Sequence, residues 1–122
     1  MKHSAGFLQV VDDAKSRINE VTVAETRDRL NENPNAKLID VREDNEWDMA
    51  HAAGSIHLGK GIIERDIEAT VPDKSTELIL YCGGGYRSAL AADVLQQMGY
   101  TNVFSMAGGW KVWKESGAPI ES

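Results

Sequence analysis

Four consecutive apolar residues, Leu78-Ile-Leu-Tyr81, run without a break into Cys82-Gly-Gly-Gly85. A strand that is apolar at every position needs cover on both faces. The glycines end it, and a helical pattern follows from Ser88 to Met98. Leu90, Ala91, Val94, Leu95 and Met98 share one side of that helix, and Gly99 is its stop. Strand, glycine loop and helix in immediate succession point to a layered α/β architecture.

The rest of the chain alternates in the same way. Phe7, Val10, Val11, Ala14 and Ile18 fit a helix from about Gly6 to Arg17. Thr22-Val-Ala-Glu25 has the form of a capping box, and Asn33-Pro-Asn35 is a turn. Strands are expected at Lys37 to Val41, weakly at Ser55 to Leu58, and at Asn102 to Met106. Short helices are expected at Asn45 to Ala50 and Ile62 to Ala69, and a last one after Gly108-Gly109 carries Trp110 and Trp113. This order predicts a central, mainly parallel sheet with helices on both faces. Sites in such sheets form beyond the carboxyl ends of the strands, which is where Cys82 falls.

Composition narrows the function. The 122 residues suit one domain with a real core, and 42% hydrophobic with 26% charged is ordinary for a globular protein. Net charge is −6 with no basic stripe, which argues against nucleic acid as a partner. No apolar run reaches the length of a membrane span. Asp12, Asp13, Lys15 and Arg17 interrupt any signal-peptide core, so a cytoplasmic protein without a membrane partner is expected. A single cysteine permits no internal disulfide and no four-cysteine zinc site. His51, His57 and Cys82 lack ligand spacing, and neither metal nor cofactor is expected.

The lone thiol therefore carries the question. A lone cysteine is usually a small buried hydrophobe. Cys82 instead stands at the lip of a glycine loop that opens a helix and contains Arg87. The first amides of a helix lack internal partners and its dipole favours negative charge there. Gly83, Gly84 and Gly85 let several N–H groups turn inward together, and Arg87 adds a charge that does not titrate. Such a cradle favours a thiolate. No histidine sits in a protease signature, so activation without a base suits phosphoryl or sulfur transfer.

From roughly Val21 to Pro119 the chain resembles the rhodanese-like single-domain sulfurtransferases. The resemblance rests on "LIDVREDNEW" at 38–47, "HAAGSIHL" at 51–58, "LYCGGGYRSALAADVLQQMGY" at 80–100 and "VFSMAGGWKVWKESGAPI" at 103–120. It implies a rhodanese-like α/β fold, with residues 1–20 as an N-terminal helical extension and 21–122 as the domain. It also implies that Cys82 alternates between thiol and persulfide as nucleophile and sulfur carrier. Gly83, Gly84, Gly85, Tyr86, Arg87 and Ser88 would surround the transferred sulfur, and Asp40 and Arg42 would brace the loop as a charge pair. Glu46 and His51 are placed in the same polar support, and Trp47 and Tyr86 at the mouth of the site. The implied reaction moves a sulfane sulfur from thiosulfate or a persulfide to cyanide or a thiol.

Loop length bears on the chemistry. Phosphatase relatives of the cell-cycle type use Cys-x5-Arg to hold a tetrahedral oxyanion, and this chain has Cys-x4-Arg from Cys82 to Arg87. The shorter ring suits one sulfur atom, which argues against a phosphatase or an arsenate reductase. Many thiosulfate-using members carry a basic residue after the cysteine, where this chain has Gly83. Weak use of the thiosulfate dianion follows, and a persulfide or a partner protein in a sulfur relay is the alternative donor. A carrier or regulatory binding module with little turnover is the reading from a different class. Other departures are Ala50-His-Ala52 in place of Gly-His-Ile and Ala107 in place of an acid, both taken as changes of packing. Gly54 to Lys60 imitates a phosphate loop, but Gly61 stands where Ser or Thr must bind magnesium.

Overall fold

The computed structural model describes residues 3–122. Five parallel strands form the central sheet: β1 (Asn19–Val21), β2 (Lys37–Asp40), β4 (Ile56–His57), β5 (Leu78–Tyr81) and β6 (Val103–Met106), in the order β1-β6-β5-β2-β4. The all-apolar strand β5 lies in the middle, which satisfies its need for cover on both sides. A second, antiparallel ladder of two strands pairs β3 (His51–Ala52) with β7 (Ile120–Glu121).

The alternation of side chains along β5 divides the core into two layers. Leu78, Leu80 and Cys82 face one layer with Ile63 and Ile67 of α4 (Ile63–Thr70) and Ala91, Ala92 and Leu95 of α5 (Tyr86–Gln97). Ile79 and Tyr81 face the other, with Val23 of α2 (Val23–Glu32) and Trp113 of α6 (Gly109–Glu115). Each fully buried leucine or isoleucine among these contributes about 1.5–3 kcal/mol relative to exposure. The capping box at Thr22 forms, with both Thr22 and Glu25 side chains bonded to backbone. A further short helix, α3 (Asp44–Met49), follows β2.

The N-terminal helix α1 (Ala5–Lys15) packs on α5. Val11 and Ala14 are buried in that contact. Arg17, just beyond α1, grips Asp93 of α5 with Nε and Nη2 at 2.9 and 2.7 Å, and Gln96 donates to the Arg17 carbonyl. The Asp93 carboxyl is held below its ordinary range by that guanidinium.

Three strands lacked a sequence signal. In β1 only Val21 is buried, and β3 and β7 have two residues each. The helix after the cysteine loop begins at Tyr86 rather than Ser88. Gly85 is the reason: its φ of +100° completes the turn two residues earlier, in a conformation a side chain disfavours.

Candidate active site

Cys82 follows the carboxyl end of β5, and its side chain lies on the buried layer beside α5. Its sulfur accepts the Gly85 N–H at 3.1 Å and the Ser88 N–H at 3.4 Å. Gly85 has no side chain to cap α5, so the thiol sulfur takes the place of the capping acceptor. The Cys82 S–H reaches the Ser88 hydroxyl at 3.6 Å, and Ser88 shares a hydrogen bond of 2.8 Å with Ser105 on β6. The sulfur is thus aimed at the positive end of a twelve-residue helix.

The loop is held from a second side by α6. Trp110 N–H donates to the Cys82 carbonyl at 2.7 Å and Lys111 N–H to the Gly83 carbonyl at 3.2 Å. Gly109 permits this approach: a Cβ there would run into the Cys82 carbonyl oxygen, and its φ of +52° is unfavourable for other residues. The loop is therefore pinned between two helix starts.

Arg87 is placed otherwise than a simple cradle implies. Its two Nη atoms fork onto the Glu46 carboxylate at 2.8 and 3.2 Å. Glu46 holds the Arg87 guanidinium above its ordinary range, with a smaller contribution from Cys82. Arg87 in turn holds the Glu46 carboxyl below the usual range. Asp40 and Arg42 make a separate, buried unit. Asp40 accepts from Arg42 N, Nε and Nη2 and from the Tyr81 hydroxyl. Burial is the largest single influence on Arg42 and opposes its charge, but the Asp40 hydrogen bond and the charges of Asp40, Tyr81 and Glu46 together outweigh it, so its pKa is raised. Burial also raises the Tyr81 phenol. The Arg42 guanidinium lies 4.6 Å from the Trp110 ring centroid, and Trp110 holds the Cys82 carbonyl. Among the described residues no buried side-chain polar atom is left without a partner.

A cavity of about 870 Å³ opens onto Cys82. Gly83, Gly84, Tyr86, Arg87 and Glu46 line it, as do His3, Ser4 and Phe7 from the start of α1. Trp47 is absent from this lining. It stacks on His51 at 3.4 Å and on His57 at 5.0 Å, outside the mouth. Glu46 belongs with Arg87, not with Asp40 and Arg42 as its place in the motif suggested. The contribution of α1 had no sequence signal beyond its apolar spacing. Among the described residues no group of three or more His, Cys, Asp or Glu converges as metal ligands would. No helix of the described residues is long and apolar enough to cross a membrane.

Residues 22–116 match the model of the rhodanese-like domain. The chain belongs to the rhodanese-like domain family, and its α/β fold with a central parallel sheet is that of its structural neighbours. Among curated relatives, thiosulfate sulfurtransferase PspE of Escherichia coli is 37% identical over 60% of this chain and 69% of its own length. YrkF of Bacillus subtilis, whose name proposes a sulfur carrier, is 26% identical over 80% of this chain, which spans only 52% of that relative. Two solved structures match over nearly the whole chain. The polysulfide-sulfur transferase homodimer of Wolinella succinogenes has a TM-score of 0.83 at 28% identity, covering 96% of this chain and 88% of its own. RPA3614 of Rhodopseudomonas palustris, of unknown function and described as a possible tyrosine phosphatase, has a TM-score of 0.86 at 28% identity, covering 99% and 98%.

Proposed function

We propose that this protein is a sulfurtransferase that carries a sulfane sulfur on Cys82. The carrying observation is the seat of the Cys82 sulfur, which accepts two N–H groups from the loop and first turn of α5. That arrangement stabilises negative charge on a sulfur, as oxyanion holes do on oxygen. The relatives named as sulfurtransferases support the same reading.

In the first half-reaction the Cys82 thiolate attacks the outer sulfur of the donor. The new S–S bond forms as the donor's own bond breaks, and the electron pair leaves with sulfite or a thiolate. In the second, cyanide or a thiol takes the outer sulfur, and the pair of the Cys82 S–S bond returns to Cys82. Asp40 and Arg42 act at a distance, bracing Trp110 and through it the Cys82 carbonyl. A phosphatase reading is disfavoured because the Cys82–Arg87 loop is one residue shorter than Cys-x5-Arg and the charge of Arg87 is offset by the Glu46 carboxylate.

The alternative is a sulfur carrier or regulatory module that receives sulfur from a partner protein. It is favoured by the pairing of Arg87, the one formal positive charge in the loop. Intact mass after incubation with thiosulfate, and separately with glutathione persulfide, decides between them. Gain of one sulfur on Cys82 that cyanide removes supports the sulfurtransferase. No gain from either donor on a reduced protein eliminates it in favour of protein-delivered sulfur, and transfer by Cys82→Ser at the normal rate sinks both.

A further inference from the structure

Helix α1 lies outside the residues that match the family model, yet its first turn reaches the mouth of the site. Three aromatic rings meet there. His3 packs edge-on against Tyr86 at 4.6 Å, Phe7 against Tyr86 at 6.3 Å, and His3 lies 5.2 Å from Phe7. Two of these rings come from the N-terminal segment and one from the cysteine loop. The wall is anchored, because Val11 and Ala14 are buried and Arg17 is forked onto Asp93.

The electrostatics of the cavity favour a different ligand from a small dianion. Arg87 is the sole lysine or arginine among its described lining residues, and Glu46 neutralises it. Lys15 lies 5.1 Å from the Tyr86 ring centroid but does not line the cavity. A volume of about 870 Å³ is in the range that holds small organic ligands. A thiosulfate ion would leave most of it to water and would leave the aromatic wall unused.

We propose that α1 completes a donor pocket whose His3–Phe7–Tyr86 wall selects organic persulfides, R–S–SH, with an apolar R group. The inference rests on the sulfur-transfer reading above and names the substrate class of that site. R packs against Phe7 and Tyr86 while the outer sulfur faces Cys82. The Cys82 thiolate bonds to the outer sulfur, the donor S–S bond breaks, and its electron pair leaves as R–S⁻. The products are Cys82–S–SH and the thiolate, with charge and atoms conserved and no added oxidant or reductant.

The test compares methyl persulfide, benzyl persulfide and thiosulfate as donors to the full chain, with cyanide as acceptor and thiocyanate as readout. Benzyl persulfide is expected to exceed methyl persulfide about tenfold in kcat/KM, since aromatic packing and extra buried methylenes each change this ratio severalfold. In Phe7→Ala the preference falls to about twofold, chiefly through KM for the benzyl donor. Phe7→Leu, which keeps apolar volume and removes the ring, is expected to fall between the two. The wild-type donor ratio needs no variant, so it stands even if a substitution disturbs folding. Equal kcat/KM for the two persulfides in the wild type, or a benzyl preference that survives Phe7→Ala in a folded protein, overturns the proposal and leaves sulfur transfer intact. Failure of every donor to load Cys82 removes the sulfur-transfer reading and this proposal with it.

Discussion

Replacing Asp40 by Asn keeps the shape of the side chain and removes the charge opposite Arg42. The two residues are 0% and 3% exposed, so the guanidinium left behind has little water to turn to. Asp40 accepts from three nitrogens of Arg42 and from the Tyr81 hydroxyl, and Arg42 has one further acceptor, the Ala50 carbonyl. Breaking a buried pair from one side costs about 3–5 kcal/mol. That is a large part of the roughly 5–15 kcal/mol that holds a domain folded. For a chain of this size it corresponds to a fall in Tm of roughly 10–20 °C. Asp40→Asn, Arg42→Gln and the double variant are compared by urea denaturation. The double variant is expected to be less destabilised than the sum of the singles, because it leaves no unpaired buried charge. Arg42 does not line the cavity at Cys82, so the folded fraction of each variant keeps its donor KM within about twofold. A cost below about 1 kcal/mol for Asp40→Asn with strict additivity in the double variant would refute the bracing argument. A donor KM that rises about tenfold in Arg42→Gln would refute the separation of Arg42 from substrate.

Glu46→Gln removes the partner of Arg87, and with both side chains about a third exposed the loss of stability is within about 1 kcal/mol. Glu46 has a depressed carboxyl in the folded state, so its contribution is present above the unfolded value of about 4.3 and is lost as pH falls through the folded one. Urea curves of wild type and variant are expected to differ at pH 7 and converge in acid. Gly109→Ala places a methyl against the Cys82 carbonyl and should lower stability by about 1–3 kcal/mol by thermal melting, with slower sulfur loading. An unchanged Tm contradicts the close contact of α6 with the loop. Gly83→Lys adds a second positive charge at the mouth, with its Cβ 3.1 Å from Arg87 Nη2. Steady-state kinetics should show thiosulfate kcat/KM rising about fivefold, as expected for about 1 kcal/mol of added attraction; an unchanged value denies that loop charge limits thiosulfate use.

How far the sequence reveals this arrangement depends on whether the determining contacts are local. The run at 78–81, the capping box at Thr22 and the glycine loop are local patterns, and each maps onto an element at or near its expected bounds. The parallel sheet follows because consecutive strands are separated by helices. The short strand β1 escapes because it lies at the sheet edge with only Val21 buried, so no periodicity marks it. The pairing of Glu46 with Arg87 spans 41 residues and escapes for a different reason. Nothing local distinguishes a carboxylate that turns toward the loop from one that joins Asp40 and Arg42. The aromatic wall is the least legible part. It forms only because Val11 and Ala14 seat α1 on α5, which carries Phe7 of the first turn over to Tyr86.

The pairing of Arg87 changes where charge stabilisation at Cys82 comes from. With both Nη atoms bound to Glu46, the fixed cation near the sulfur is largely cancelled. The donors that remain on the sulfur are the N–H groups of Gly85 and Ser88, and these belong to the backbone. Their direction is set by the left-handed turn at Gly85 and by α6 holding the carbonyls of Cys82 and Gly83 from behind. The atoms that make these contacts are backbone N–H and carbonyl groups, none of which titrates. The positions that line the way in lie elsewhere, at Gly83, Tyr86 and the start of α1. The site therefore separates two tasks. On the sulfurtransferase reading, the backbone cradle would stabilise a sulfur anion of any origin, while the mouth would decide which molecule delivers it. A substitution at the mouth can redirect donor choice without disturbing the cradle, whereas one beneath it, as at Gly109, changes transfer from every donor together.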